Sequence, residues 1–271
     1  TFAIAAVLSL AFTPVSARGT NCDDWMSSDR EVLEQFWEAT TVETLADCLN
    51  AGANVNARNE IGLTPLHFAA KANENPAVLA VLLGAGANVN ARNEIGLTPL
   101  HFAAEANENP AVLAVLLGAG ANINARNEFE GTPLHSAVFS NENPDVTTVL
   151  VDAGADVNAR TKSGDTPLHY AAKHNKNLDV ATLLLEVGAD VNVRNQNGIG
   201  PIFTVISYFN PALLTMLLEA GADVNARSRN GSTPIHIASG HPLGGKILPV
   251  MLEFGADVNA TDNDGRTPLH Y

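Results

Sequence analysis

The tetrapeptide Thr-Pro-Leu-His begins at Thr64, Thr98, Thr132 and Thr166, and a variant of it follows at Gly200-Pro201-Ile202-Phe203. It returns as Thr233-Pro234-Ile235-His236 and Thr267-Pro268-Leu269-His270. Every step is 34 residues except the 33 from Gly200 to Thr233. A glycine column, Gly52, Gly86, Gly120, Gly154, Gly188, Gly221 and Gly255, runs twelve residues ahead in the same register. A period of this length makes each repeat one small unit that stacks on its neighbours, so the 271 residues need no single globular core.

The punctuation within a unit is readable. Thr64-Pro65 supplies an N-cap hydroxyl and a first-turn proline, starting a short helix through Leu66, His67, Phe68 and Ala69. Asn75-Pro76 repeats the device. Val78, Leu79, Val81, Leu82 and Leu83 then predict a second helix, apolar on most sides, which must be buried between units. Gly86 ends it, because a residue without Cβ takes the left-handed turn past a helix terminus, and Asn88 to Asn93 is extended and turn-rich. A single unit cannot bury such a helix, so the expected fold is an all-α solenoid of stacked helix-turn-helix units with hairpin-like loops.

The pattern G-x-TPLH-x-AA, a helix closing on L-L-x-x-GA, then D/N-V-N-A-R resembles the ankyrin repeat over residues 30 to 271. It departs by one inserted residue between the helices, as in Asn73 to Ala77. The organisation expected is a signal peptide over 1–17, an N-terminal capping repeat over 18–58, and about six full repeats plus a truncated seventh over 59–271. The resemblance implies a non-enzymatic, monomeric scaffold that binds an unidentified partner protein through its concave face, with no cofactor and no small-molecule substrate. The alternative is the targeting arm of a larger enzyme or secreted effector whose catalytic domain lies beyond residue 271. Binding in this family implies the finger tips and the inner face of each first helix. On this chain those are Glu60, Ile61, Leu63 and Lys71, then Glu94, Ile95, Leu97 and Glu105, then Phe129 and Phe139. Ile61, Leu63, Ile95, Leu97 and Phe129 either form an exposed apolar strip or pack each on the next finger.

Charge narrows the partner class. With 29 acidic and 15 basic residues the formal charge is −14, which repels nucleic acid and anionic lipid alike. A hydrophobic content of 46% excludes disorder. Six of the eight histidines, His67, His101, His135, His169, His236 and His270, share one column. One repeat apart, at roughly 10 Å, they cannot meet about a single ion that needs nitrogens ~2 Å away, so no metal site is expected. The resemblance implies instead that this His and its Thr knit adjacent turns. Gly200 and Phe203 mark a fifth repeat lacking both, expected to be the weakest link. Arg58, Arg92, Arg126, Arg160, Arg194 and Arg227 form a second column. Glu60, Glu94 and Glu128 follow two residues later, close enough for exposed ion pairs worth well under ~1 kcal/mol. The other reading of these arginines, Arg92 and Arg126 among them, is a stripe that receives an acidic partner, above all at the C-terminal end where Lys162 and Arg229 replace the glutamates. No nucleophile elbow, phosphate loop or His-Glu-x-x-His helix occurs.

Residues 1 to 17, TFAIAAVLSLAFTPVSA, carry an apolar run that ends on small residues, as the end of a secretory signal does. The run is about half of the ~20 residues a bilayer span requires, so the expectation is an exported chain, periplasmic or secreted, with no stable membrane anchor after signal removal. In that compartment Cys22 and Cys48 either pair, stabilising by roughly 3 to 4 kcal/mol, or remain buried thiols. The cap is expected as a helix from Arg30 to Ala39, then Thr40 with Glu43 in capping-box spacing ahead of Leu45 and Leu49. Pro249, mid-helix by analogy with Ala80 and Ala114, must delay or kink the second helix of repeat six.

Overall fold

The structure, a computed structural model, describes residues 22–141, 143–174 and 178–271, so the expected signal peptide lies outside the described residues. Among the described residues the regular elements are all helical. They come in seven consecutive pairs. The first is α1 (Arg30–Ala39) with α2 (Val42–Asn50). Then follow α3 (Pro65–Ala72) with α4 (Pro76–Gly84), α5 (Pro99–Ala106) with α6 (Pro110–Gly118), and α7 (Pro133–Ser140) with α8 (Pro144–Asp152). The last three are α9 (Pro167–His174) with α10 (Leu178–Glu186), α11 (Pro201–Ser207) with α12 (Pro211–Glu219), and α13 (Pro234–Gly240) with α14 (Leu248–Glu253). First helices stack on first helices from α1 to α13, and second helices on second helices from α2 to α12. The core is therefore a continuous seam, with Leu66, Leu79 and Leu82 and their equivalents Leu100, Leu113 and Leu116 fully buried. Each such leucine contributes roughly 2 kcal/mol of transfer free energy.

The TPLH signature is a complete helix start. The Thr64 hydroxyl accepts from the His67 backbone N–H, while the His67 ring accepts from the Thr64 backbone N–H at 3.0 Å. Because Nδ1 accepts, the ring proton sits on Nε2, which donates to the Leu97 carbonyl of the next unit at 3.2 Å. His101, His135, His169 and His236 repeat the bond to Gly131, Asp165, Ile199 and Arg266. The knitting role that the resemblance implied for this column is thus present in the geometry.

Two asparagine columns join the units as well. Buried Asn107 donates through Nδ2 to the carbonyls of Ala70 and Asn73, while its Oδ1 accepts from the Asn109 N–H. Asn73 and Asn141 do the same one unit before and after. The inserted residue between the helices therefore does more than lengthen a loop: it makes room for a buried side chain that ties two repeats together. On the surface, Asn56 donates to the Gly86 carbonyl and accepts from the Asn88 N–H, a bidentate bond that recurs at Asn90, Asn124, Asn158, Asn192 and Asn225.

The cap corrects one expectation and settles another. Helix α2 is capped by Thr41, whose hydroxyl accepts from the Thr44 N–H, not by Thr40 with Glu43. Thr40 is buried, and its hydroxyl turns back to the Phe36 carbonyl. Cys22 and Cys48 are joined in a disulfide that ties a 3-10 helix over Cys22–Met26 to α2. This brings Trp25 over Trp37 at a ring distance of 5.3 Å and seals the end of the seam. Replacing both cysteines by serine is expected to lower stability by about 3 kcal/mol, read from urea denaturation, since the unbridged chain regains the freedom of a loop with a sequence separation of 26. An unchanged midpoint would count against the bond.

Repeats five and six depart from the pattern. Phe203 fills the histidine slot as a buried ring, so packing survives but no bond crosses to the next unit from there. The Ser232 carbonyl, which a histidine would reach, takes the Ser228 hydroxyl instead. The missing residue of the 33-residue step falls in the turn after α11, where Phe209 adopts φ +51, a left-handed conformation unusual for a bulky residue. Amides of α11 and α12 are expected to exchange faster than those of repeats two and three, and equal protection would refute this. Pro249 delays its helix: a 3-10 turn over Gly244–Lys246 comes first, and the proline occupies the first turn of α14, where its missing N–H has no partner to lose.

Candidate functional site

A groove of about 710 Å³ opens where the first helices of repeats three to six face the fingers. Its helix wall comes from Phe139 on α7, Tyr170 and Lys173 on α9, Thr204 and Ser207 on α11, and Ile237 on α13. Asp165, Asn197 and Arg229 come from the fingers.

The groove exists because small residues replace large ones. Along the first helices, the position after the histidine column holds Phe68, Phe102, Ser136, Tyr170, Thr204 and Ile237. Where it is aromatic the ring closes edge-on over the histidine of the preceding unit, Phe102 on His67 at 5.5 Å and Tyr170 on His135 at 5.4 Å. Thr204 puts no ring over His169. Three residues on, Ser207 stands where Lys71, Glu105, Phe139 and Lys173 stand elsewhere, so a second long side chain is absent at the same level. The shortened turn after α11 adds the rim. Tyr208 ends that helix 54% exposed, with the Lys173 ammonium 5.7 Å from its ring centre. Strained backbone is over-represented at binding sites, and the left-handed Phe209 beside Tyr208 fits that tendency.

Asp165 is held in place: its Oδ1 accepts from the Asn195 amide at 2.7 Å and its Oδ2 from the Ser163 hydroxyl at 2.6 Å. Burial pushes its carboxyl up, but these two bonds, together with the electrostatic pull of the His169 and Lys173 side chains, outweigh burial and keep it below its usual value. Burial drives the His169 imidazole down, so it faces the groove neutral at pH 7. Burial, with Asp165 nearby, raises the Tyr170 phenol. Among the described residues no cluster of three or more His, Cys, Asp or Glu could hold a metal ion.

Of the residues expected from the sequence, Phe139 lines this groove and packs edge-on to Tyr170 at 5.8 Å. The others lie elsewhere. Ile61, Ile95 and Phe129 are exposed at 51%, 41% and 62% on successive finger tips. Leu63 is buried at 7% and Leu97 half-buried, so the apolar strip is built from the tips alone and two of its five members turn inward. Glu60, Glu94 and Glu105 are exposed, and Lys71 pairs with Glu34 at 3.4 Å.

The arginine column corrects the expected Arg–Glu pairing. Each guanidinium reaches along the solenoid to a backbone carbonyl of the next finger: Arg58 to Arg92, Arg92 to Arg126, Arg126 to Arg160, and so on to Arg227 with Thr261. Glu60, Glu94 and Glu128 form no ion pair with them among the described residues; the pair present is Arg126 with Glu130, four residues on. The groove residues Tyr170, Lys173 and Tyr208 were not anticipated, although the small pair Thr204 and Ser207 and the single 33-residue step were visible as signals; Arg229 was, as a cation in the stripe expected to receive an acidic partner.

The chain matches the family model Ankyrin repeats (3 copies) over residues 37–127 and 106–195, and Ankyrin repeats (many copies) over 217–271. It is similar to the crystal structure of the ankyrin repeat domain of Bcl-3, described as a unique member of the IkappaB protein family. The two are 30% identical with a TM-score of 0.68, over 78% of this chain and 94% of that one. No curated protein matches.

Proposed function

The chain belongs to the ankyrin-repeat family, and we propose that it is a non-enzymatic scaffold that binds a partner protein through its concave face, centred on the groove of repeats three to six. The observation that carries this is the groove itself: an uncovered hollow of about 710 Å³ with three aromatic rings, Phe139, Tyr170 and Tyr208. Its size lies in the range of ligand sites, and aromatic side chains dominate binding energetics at protein interfaces. The chain acts as a monomer, and its partner is a protein and not a polyanion, in keeping with the charge of −14.

A photo-crosslinking residue at Tyr208 is expected to trap the partner protein, and the same residue at Glu219, exposed on the second helix α12, to trap none. Equal trapping from both positions, or none from Tyr208, would overturn the assignment of the face. The exported location rests on the first seventeen residues and on the disulfide, which persists in oxidising compartments. Protein isolated from its native source with both thiols open to alkylation before any reductant is added would argue against export.

A further inference from the structure

The charge in the groove runs against the charge of the chain. Against a formal −14, the lining holds two cations, Lys173 and Arg229, and one carboxylate, Asp165. That carboxylate is engaged by Asn195 and Ser163 and lies near enough to Lys173 to feel its charge, without forming an ion pair with it. Among the described residues no carboxylate pairs with Lys173 or Arg229. Lys71 pairs with Glu34 and Arg266 with Asp262 and Asp264, while the column from Arg58 to Arg227 donates to backbone carbonyls. The two groove cations stand on opposite walls, Lys173 near the end of α9 and Arg229 in a finger. The aromatic rings of Phe139, Tyr170 and Tyr208 line the groove with them.

We propose that the groove receives an extended segment of the partner protein in which acidic side chains flank an aromatic or aliphatic one. The carboxylates meet Lys173 and Arg229, and the apolar side chain lies in the hollow left by Thr204 and Ser207. Charge complementarity selects this class, because a basic segment would place its cations against Lys173 and Arg229 with no unengaged carboxylate to receive them. A nucleic acid carries far more negative charge than two cations can offset on a surface of −14. This assignment rests on the scaffold reading above and adds to it the chemistry of the partner.

The probe is a library of random dodecapeptides selected on the full chain, with the enriched peptides synthesised and their binding followed by fluorescence anisotropy. Enrichment of Asp or Glu on either side of an aromatic or aliphatic residue is expected. Lys173→Glu and Arg229→Glu should each weaken those peptides at least tenfold, and a peptide with Lys in place of its acids should bind the doubly reversed chain better than the wild type. That gain also shows that the reversed chain is folded. Thr204→Trp, which fills the hollow, should abolish binding. Enriched peptides that are lost on Thr204→Trp but lack acids, or ignore both charge reversals, would overturn the acidic assignment and leave the scaffold standing. Peptides insensitive to Thr204→Trp, or no enrichment at all, would overturn both.

Discussion

Lowering the pH from 7 to 4.5 is expected to remove most of the stability of the solenoid. Burial drives the imidazoles of His67, His101 and His135 from 6.5 down to about 4. Each ring accepts a backbone N–H on Nδ1, at 3.0 Å in His67, 3.1 Å in His101 and 3.2 Å in His135, and a second proton there would face that donor. The unfolded chain takes up protons from about 6.5 downward, whereas the folded chain does not until about 4. The stability from these rings is therefore complete above 6.5 and is lost progressively as the pH falls toward 4. At about 1.4 kcal/mol per pH unit each ring accounts for roughly 3 kcal/mol over that window, and three rings for roughly 10, comparable with the whole stability of an ordinary domain. Relief of self-repulsion in a chain of −14 acts in the opposite direction, but it arises between exposed charges and is screened at moderate salt. Urea midpoints measured between pH 7.5 and 4.5 in 0.15 M salt should fall steeply below 6.5, and His101→Gln should flatten the slope. A level profile would show that the column is not buried as a neutral hydrogen-bonded ladder.

How much of this was legible in the sequence depends on how far each interaction reaches. The Thr-Pro helix starts, the glycine stops and the buried second helix are local and could be read within one unit. The His column was assigned its role only through family resemblance, because its acceptor lies thirty residues away. Nothing local separates Arg58 as a surface charge near Glu60 from Arg58 as a donor to the Arg92 carbonyl. The two differ only in whether the next finger is close enough, which depends on stacking geometry. Leu63 is a case of the same kind: Ile61 and Leu63 both give their N–H to Asn59 Oδ1, yet Ile61 is exposed and Leu63 turns inward, a difference that no local bond sets. The groove was illegible for another reason. It is made by what Thr204 and Ser207 lack, and an absent side chain registers only once its neighbours in space are known.

Asparagine use within the repeats separates two chemical duties, and this leads to the second large expected effect. At the turn position before the surface ladder the chain carries Asn54, Asn88 and Asn122, then Asp156, Asp190, Asp223 and Asp257. Both residue types do the same thing there, accepting the N–H two residues on through Oδ1. Two positions later the residue is Asn in every unit, because its Nδ2 must also donate to the next repeat. Asp thus serves where only acceptance is needed and is excluded where donation is needed. Asn107 is the buried case: two carbonyls, those of Ala70 and Asn73, depend on its amide at 3.0 and 3.1 Å. Asn107→Asp keeps the shape and the bond to the Asn109 N–H, yet sets a carboxylate against two buried carbonyls. A cost on the order of 5 kcal/mol follows, or neutralisation of the acid in the folded state. Asn107→Ala leaves the same carbonyls unsatisfied without the charge and should cost roughly 2 to 3 kcal/mol. Asn90→Asp, on the exposed ladder where water can replace the donor, should cost under about 1 kcal/mol. Urea denaturation of the three variants at pH 7.5 should rank them in that order, with Asn107→Asp recovering part of its loss at pH 5 as the introduced acid takes up a proton. Equal effects of Asn107→Asp and Asn90→Asp would mean that water reaches the turn between the helices, and that the inserted residue serves only to lengthen it.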